Sequence, residues 1–283
     1  MATRKRALVL GGGGIAGIGW ETGLLFGLAE RDIDVPVPDL VVGTSAGSVV
    51  GAQLLSGTPL GTLHDRHVLP EGESTEIAAE FDADALMKAW GAMLEKHAPG
   101  QEMRAAIGSY ALAAPTVPER ARREVISARL TSHDWPAADL RIVAADAATG
   151  EVRVFTAADG VELVDAVAAS CAVPGIWPPV TVDGRRYVDG GIRTSLNIDL
   201  AEGYDVVLAL APVSDFGQPE AEIAAATKKM LKRKKVLVIS PDEESLAAIG
   251  TNPLDPATAR PAAMAGRSQA ERIADEVRAV WTA

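Results

Sequence analysis

The chain begins with two segments in which a short apolar run is followed at once by glycine and then by a helix-like pattern. Arg6–Leu10 (RALVL) runs into Gly11–Gly14, and Gly17–Asp32 then has apolar residues at helical spacing. The same order recurs when Asp39–Gly43 (DLVVG) precedes Ala46–Gly57 (AGSVVGAQLLSG). Strands joined through helices with short connections pair in parallel, so this alternation predicts an α/β fold with helices packed on the sheet.

The later part of the chain predicts more elements of the same sheet. Leu140–Asp146 and Glu151–Ala157 are predicted to form a hairpin, and Val161–Val173 is predicted to be a helix. Asp205–Pro212 and Lys235–Ser240 contain continuous apolar runs, which are typical of parallel strands buried on both faces.

Two long stretches lack such strand signals. Pro59–Trp135 is rich in Ala, Glu and Arg, and we interpret it as a helical insertion that packs over the sheet. The tail, Asp242–Ala283, is predicted to be helical with a loop at Asn252–Pro256. We expect the insertion to belong to the main domain and not to form a separate one. The sequence has no visible internal repeat or low-complexity tract.

The composition allows a sizeable core and argues against several functions. A length of 283 residues suits one large domain or two small ones, and 48% of the residues are hydrophobic. We expect a single domain over 1–283, with a motif-bearing core at about 6–202 and a C-terminal strand and helices at about 205–283. The net charge of −11 argues against nucleic-acid binding. The lone Cys171 excludes an internal disulfide. No signal-peptide or membrane-spanning pattern is visible, and we expect a soluble cytoplasmic protein.

The first glycine stretch admits two interpretations. Gly12–Gly17 satisfies G-x-G-x-x-G between a strand and a helix, which is the pattern of a dinucleotide-binding turn. Asp34 and Asp39 lie near the expected distance for a ribose ligand. Four glycines in a row, Gly11–Gly14, also leave backbone N–H groups bare for an anion, which could be a pyrophosphate or a developing oxyanion.

The second glycine turn displays a serine. Gly43-Thr44-Ser45-Ala46-Gly47 is a G-x-S-x-G sequence at a strand–helix joint, which is the pattern of a nucleophile elbow. The alternative is that Ser45 only caps the helix. A bare-amide glycine loop on a neighbouring strand favours the nucleophile, because acyl transfer needs both a nucleophile and donors for the oxyanion.

The base that would activate Ser45 is not an obvious histidine. The four histidines are His64, His67, His97 and His133, all in or beside the insertion, whereas α/β-hydrolases carry a histidine late in the chain. His64 and His67 have no third ligand at metal-binding spacing, so no metal site is predicted. The remaining candidate is Asp189, at a strand end before Gly190 and Gly191. The alternative is that Asp189 is a second turn aspartate, like Asp183 in the Asp183-Gly184 pair that suits a two-residue hairpin turn between short strands.

Taken in order, these motifs resemble the patatin-like phospholipase family. The resemblance rests on Gly12–Gly17, on Gly43–Gly47, on Asp189–Gly191 (DGG) and on the lead-in ASCAVPGIWPPV, and it covers about residues 6 to 202. It implies a three-layer α/β/α sandwich with a mostly parallel sheet, a Ser45–Asp189 dyad without histidine, and hydrolysis of lipid acyl esters. Many relatives carry Arg or Lys where this chain has Ala16, which puts a phosphate-directed charge at that position in doubt.

The resemblance also implies roles for the remaining residues. The N–H groups of Gly12, Gly13 and Gly14 would hold the oxyanion, and no metal or organic cofactor is required. We expect a phospholipid, lysophospholipid or neutral glyceride as substrate, with apolar faces of the insertion lining an acyl channel or simply packing in the core. Lys228–Lys235 could contact lipid phosphates during transient membrane-surface contact, or could be a solvated helix end.

Two other functions stay open on the sequence, and so does the oligomeric state. One is a dinucleotide-dependent oxidoreductase that uses Gly12–Gly17, although no redox or substrate residues stand out. The other is a catalytically silent binding protein of the same fold.

Overall fold

The computed structural model describes residues 4–33, 35, 38–69, 76–79, 81–215, 219–233 and 235–282. Within these residues the strands are β1 Arg6–Leu10, β2 Leu40–Thr44, β3 Leu140–Asp146, β4 Val152–Phe155, β5 Val180–Val182, β6 Arg185–Asp189, β7 Val206–Leu210 and β8 Val236–Ile239. The helices are α1 Gly14–Ala29, α2 Ala46–Leu55, α3 Leu60–Val68, α4 Ala83–Lys96, α5 Gln101–Ala113, α6 Glu119–Arg129, α7 Leu163–Ser170, α8 Ala221–Leu231, α9 Glu243–Ile249 and α10 Ala259–Trp281.

The eight strands form one sheet in the order β5-β6-β3-β2-β1-β7-β8, with β4 paired to β3. The pairs from β3 through β2, β1 and β7 to β8 are all parallel. The hairpins β3–β4 and β5–β6 and the pair β3–β6 are antiparallel. The predicted mostly parallel sheet is therefore confirmed, and its antiparallel part is concentrated around β3.

Helices cover both faces of the sheet. Alternate residues of the central strands, such as Leu8 and Leu10, face a large apolar cluster with α1, α2, α7 and α10. The intervening residues, such as Ala7 and Val9, face a second cluster with α8, and α5 packs beside Ala145 and Val188. Because both faces are buried, these strands consist of continuous apolar runs. The predicted three-layer α/β/α sandwich is confirmed.

The predicted insertion is helical in its described part. It contains α3, α4, α5 and α6, and residues 70–75 and 80 within it lie outside the described residues. The other predicted strands and helices also appear. β1 and β3 have the predicted bounds, whereas α1 begins at Gly14 rather than Gly17 and α7 ends at Ser170 rather than Val173. In the tail, α9 and α10 are joined through a short 3₁₀ turn at Pro256–Thr258, and Ala283 lies outside the described residues. No described helix is long and apolar enough to span a membrane.

The longest helix, α10, packs directly on the backbone of α1. A Cβ atom built on Gly23 of α1 would lie 2.0 Å from the carbonyl oxygen of Ala263 in α10. That distance is far below van der Waals contact, so only glycine allows the two helices to approach this closely. The packing fixes α1, whose amino-terminal end carries the first glycine loop.

We predict that Gly23→Ala lowers the free energy of unfolding by about 1–3 kcal/mol, because the added methyl overpacks the α1–α10 contact. Gly91→Ala is the matched control, since Gly91 lies in the middle of α4 and its added Cβ would meet no atom within 4 Å. The control should gain up to about 1 kcal/mol from helix propensity. Denaturant unfolding measures both variants, and equal effects at the two positions would contradict the packing argument.

Candidate active site

The site forms where two strands meet end to end along one edge of β3. β2 ends with Thr44 opposite Val143, and β6 arrives from the other direction and ends with Asp189 opposite Ala144. The other edge of β3 is occupied by β4, so β2 and β6 must share the same edge. Ser45, the residue after β2, is thereby brought to Asp189, although the two are far apart in the chain.

Ser45 has the backbone of a nucleophile elbow. Its φ of 52° and ψ of −115° lie in a region that residues with a side chain rarely adopt, and its hydroxyl makes no capping hydrogen bond to α2. The flanking glycines allow the sharp turn: a Cβ on Gly47 would lie 2.1 Å from the carbonyl oxygen of Leu10 in β1. The serine side chain is therefore displayed and not used as a helix cap.

A second serine holds the elbow in place. The Ser170 hydroxyl accepts the backbone N–H of Ser45 at 2.9 Å and donates to the carbonyl oxygen of Val143 at 2.6 Å. The thiol of Cys171 donates to the carbonyl oxygen of Ser45 at 3.3 Å. Sequence reasoning did not find Ser170, because a serine in an alanine-rich helix carries no pattern that points to its partners.

Asp189 is a buried carboxylate. Its side chain accepts the N–H of Gly191 at 2.8 Å, and the residue is only 5% exposed. Burial raises the pKa of Asp189 from 3.8 to about 6, while the hydrogen bonds from Gly191 and from the Ser45 hydroxyl act to lower it. The carboxylate therefore lies within reach of Ser45 and is a stronger base than an exposed aspartate.

Glycine after Asp189 allows β6 to end against β3. A Cβ on Gly190 would lie 2.3 Å from the carbonyl oxygen of Val143, so a larger residue would push the carboxylate away from the elbow. Gly191 provides the N–H that orients the Asp189 side chain. Both glycines thus have a geometric reason, and Asp189 caps the turn at Gly190–Ile192 with the same carboxylate that lies beside Ser45.

Hydrogen bonds made by Gly11 hold the glycine loop that follows β1 in place. The N–H of Gly11 donates to Leu210 in β7 and to Oε1 of Glu21, both at 2.9 Å, and the carbonyl oxygen of Gly11 accepts the N–H of Gly47 at 2.9 Å. Glu21 is fully buried, and burial raises its pKa well above the ordinary value. These contacts tie the glycine loop to the serine elbow.

The amides of the loop differ in availability. The N–H of Gly12 donates to the carbonyl oxygen of Ser195 at 2.8 Å, and this bond removes Gly12 from the predicted set of oxyanion donors. The backbone N–H groups of Gly13 and Gly14 donate to no backbone carbonyl within the described part of the chain. Gly17 lies on α1 with its N–H bonded to Gly13, and it packs against Ala46.

Ser45, Asp189 and the glycine loop open into one cleft of about 300 Å³. Its apolar walls include Trp90 of α4, which comes from the insertion. The described residues around the cleft include no histidine; they are Gly12, Gly13, Gly14, Ser45, Trp90, Val173, Pro174, Asp189, Gly191, Ile192, Ser195, Val213, Ser214, Pro253 and Leu254.

Several sequence candidates lie away from the cleft. His64 is buried against Phe26, with ring centroids 4.8 Å apart, and the described residues contain no cluster of three or more potential metal ligands. Ala16 is fully buried and its N–H donates to Pro253 at 3.0 Å. In the basic segment, Lys229 pairs with Glu202 at 2.9 Å, and Lys234 lies outside the described residues.

The dinucleotide interpretation loses one of its two candidate ribose ligands. Asp39 precedes β2, so it lies at the amino-terminal ends of the parallel strands, whereas the glycine loop follows the carboxyl end of β1. The Asp39 carboxylate accepts the N–H of Arg6 at 2.7 Å. Asp34 lies outside the described residues. An acidic residue that binds ribose would have to stand at the carboxyl end of the strand.

One family model and two solved structures are similar to this chain. A family model described as patatin-like phospholipase matches residues 8–202. Among solved structures, the chain is similar to VipD from Legionella pneumophila, with 15% identity, a TM-score of 0.46 and coverage of 96% of this chain and 67% of that one. It is also similar to the type III effector protein ExoU, with 14% identity, a TM-score of 0.41 and coverage of 96% and 53%.

The matched segment runs from β1 to the residues just before β7, and it contains the glycine loop, the serine elbow and the strand that ends at Asp189. The chain therefore belongs to the patatin-like phospholipase family and is a lipid acyl hydrolase.

Proposed function

We propose that the chain cleaves carboxylic ester bonds of lipids with a Ser45–Asp189 dyad and an acyl-enzyme on Ser45. The observation that carries this proposal is the end-to-end meeting of β2 and β6 on β3. It gives a displayed serine a buried carboxylate as its neighbour in a cleft whose described lining contains no histidine. The family match supports lipid esters as the substrate class.

In the proposed first step, Oγ of Ser45 attacks the ester carbonyl and its proton passes to the carboxylate of Asp189. The tetrahedral intermediate then expels the alcohol, which takes the proton from Asp189, and the acyl group stays on Ser45. Water attacks this acyl-enzyme with Asp189 again as base, which releases the carboxylic acid and restores both residues.

The N–H groups of Gly13 and Gly14 are the proposed oxyanion donors. They line the cleft beside Ser45 and have no backbone acceptor among the described residues. The positive end of α1, which begins at Gly14, favours negative charge at the same place. Loss of one such donor typically costs about 3–4 kcal/mol of transition-state stabilisation.

Lipid substrates fit the walls of the cleft. Apolar side chains such as Trp90, Val173, Ile192 and Leu254 surround the serine, and this supports binding of an acyl chain. Met87 lies one turn before Trp90 on α4 and is 54% exposed, which supports transient contact of this rim with a lipid surface. The proposal needs no metal and no organic cofactor.

We expect Ser45→Ala to abolish ester hydrolysis and labelling by a fluorophosphonate probe, because the variant has lost the attacking oxygen. Ser214→Ala is the matched control, since Ser214 is another serine on the wall of the same cleft. Mass spectrometry of the labelled peptide and turnover of a short-chain ester measure both effects. Labelling of Ser45→Ala at the wild-type rate would contradict the assignment, and a wild type that neither reacts nor turns over would favour a catalytically silent protein.

The pH dependence should follow Asp189. The carboxylate must be deprotonated to accept the serine proton, and its pKa is about 6, so kcat/KM should fall about tenfold per pH unit below that value. Asp189→Asn keeps the shape and removes the acceptor, so kcat should fall by about 10²–10⁴-fold with a smaller change in KM. Rate measurements between pH 4 and 9 test both expectations.

The control for this experiment replaces all four histidines, His64, His67, His97 and His133, with Gln. Because none of them lines the described walls of the cleft, this variant should keep most of its kcat and the same acid limb. A folded but inactive four-histidine variant beside an active Asp189→Asn variant would show that a histidine is the base.

A further inference from the structure

A small recess adjoins the active-site cleft at Ser45. It shares Gly14, Ser45, Val173 and Leu254 with the cleft, but neither Asp189 nor Gly13 is among its walls. Its free space, about 10 Å³, is that of one water-sized sphere. The recess therefore has room for a single oxygen atom of a group that otherwise lies in the cleft.

Arg122 of α6 lines this recess and is only 4% exposed. Its guanidinium lies 3.8 Å from the centre of the Trp177 ring, which is also a wall of the recess. Among the described residues, Nε and Nη1 of Arg122 and Nε1 of Trp177 are buried without a hydrogen-bond partner. These groups are all donors, and leaving each of them unpaired costs free energy.

The charges around the recess do not cancel. Arg129, the second arginine on its wall, pairs with Glu76 through bonds of 2.6 and 2.7 Å. Glu76 also attracts Arg122 without a hydrogen bond to it, so one carboxylate faces two guanidinium groups. Burial, together with Arg129, lowers the pKa of Arg122 to about 10, so it stays protonated at neutral pH. Burial raises the pKa of the neighbouring Cys171 thiol to about 11, so that group is neutral.

Backbone dipoles add to this positive field. Gly14 and Ile15 at the start of α1, and Ser45 and Ala46 at the start of α2, all lie on the wall of the recess. Helix amino-terminal ends favour negative charge. The ends of α1 and α2 and the buried guanidinium of Arg122 therefore all favour an anion in the recess. The recess thus combines positive charge with hydrogen-bond donors that have no partner among the described residues.

We propose that the recess is an anion subsite in which Arg122 and Trp177 bind an oxygen of a phosphate group carried by the lipid substrate. The N–H of Gly13, a proposed oxyanion donor, and the proposed base Asp189 line the cleft and not the recess, so the developing oxyanion belongs in the cleft, although Gly14 lines both spaces. The occupant is therefore a permanent anion elsewhere on the substrate. In glycerol esters that carry a permanent anion, that anion is a phosphate a few bonds from the ester carbonyl. Arginine binds phosphate through paired N–H donors.

This inference rests on the proposed ester hydrolysis and makes Arg122 a specificity residue. A phosphate-bearing acyl ester should be preferred over a neutral glyceride with the same acyl chain. The basis of the preference is binding, so it should appear mainly in KM.

The test compares 1-palmitoylglycerol with 1-palmitoylglycerol 3-phosphate, which differ only in the phosphate. Arg122→Met should reduce the ratio of kcat/KM for the phosphate ester to that for the neutral ester at least tenfold, chiefly through KM. Arg120→Met is the matched control on the same helix, since the Arg120 side chain is 90% exposed, and it should change the ratio less than twofold. An unchanged ratio in a folded Arg122→Met variant would overturn the proposal.

A second measurement uses the wild type and does not depend on how a variant folds. Inorganic phosphate should inhibit hydrolysis of 1-palmitoylglycerol competitively, whereas chloride at the same ionic strength should not. Absence of such inhibition together with an unchanged substrate ratio overturns the subsite. Inhibition by free phosphate with equal turnover of the two lipids would show that the recess takes free phosphate, and would overturn the assignment to the lipid headgroup.

Binding to Ser45→Ala separates this inference from the proposed function. Calorimetry with glycerol 3-phosphate should show binding to Ser45→Ala, and at least tenfold weaker binding when Arg122→Met is added. If the wild type hydrolyses neither lipid, the hydrolase proposal fails, whereas this titration still decides whether the recess binds phosphate.

Discussion

The active-site geometry depends on the hydrogen-bonded edge that β3 offers to two strands in succession. β2 uses the first part of that edge and β6 uses the next part from the opposite direction, so their ends face each other. A backbone ladder fixes both ends more firmly than loops could, because hydrogen bonds to β3 recur along each strand. The positions of Ser45 and Asp189 are therefore fixed by the sheet. Ser170 adds a hydrogen-bonded bridge from the Ser45 elbow to Val143 of β3.

The site contains groups that cost stability. The pKa of Asp189 is raised from 3.8 to about 6, so ionising it in the folded protein costs about 3 kcal/mol. Because the folded pKa lies above the unfolded one, the protein does not bear this cost below about pH 4, where Asp189 is protonated in both states. The corresponding stability is lost as the pH rises through 6. Strain at Ser45 adds about 1–3 kcal/mol. Unpaired donors at Arg122 add to the cost, and such features persist where function needs them.

Much of the fold could be predicted because its signals are local. Apolar runs that end in glycine marked β1 and β2, and Asp183-Gly184 marked the β5–β6 hairpin, where both residues have positive φ. The family match then confirmed the sandwich that the ordered motifs implied.

The details that the sequence could not supply are contacts between distant parts of the chain. Gly12 looked like a free donor, but Ser195 occupies its N–H, and nothing near either residue indicates that pairing. Arg122 lies in a helix with charged neighbours, and its burial follows only from how α6 packs beside Trp177. Patterns of residue types identify strands and turns, whereas these contacts depend on the packed structure.

The central claim is that Ser45 attacks while Gly13 and Gly14 hold the oxyanion and Asp189 acts as the base. A crystal structure of Ser45 bound to a phosphonate inhibitor tests it most directly, because the phosphonyl oxygen stands in for the oxyanion. The account predicts that this oxygen accepts the N–H groups of Gly13 and Gly14 at about 2.7–3.1 Å, with Asp189 beside the serine oxygen. An oxygen turned away from both amides, or a histidine in place of Asp189, would contradict it.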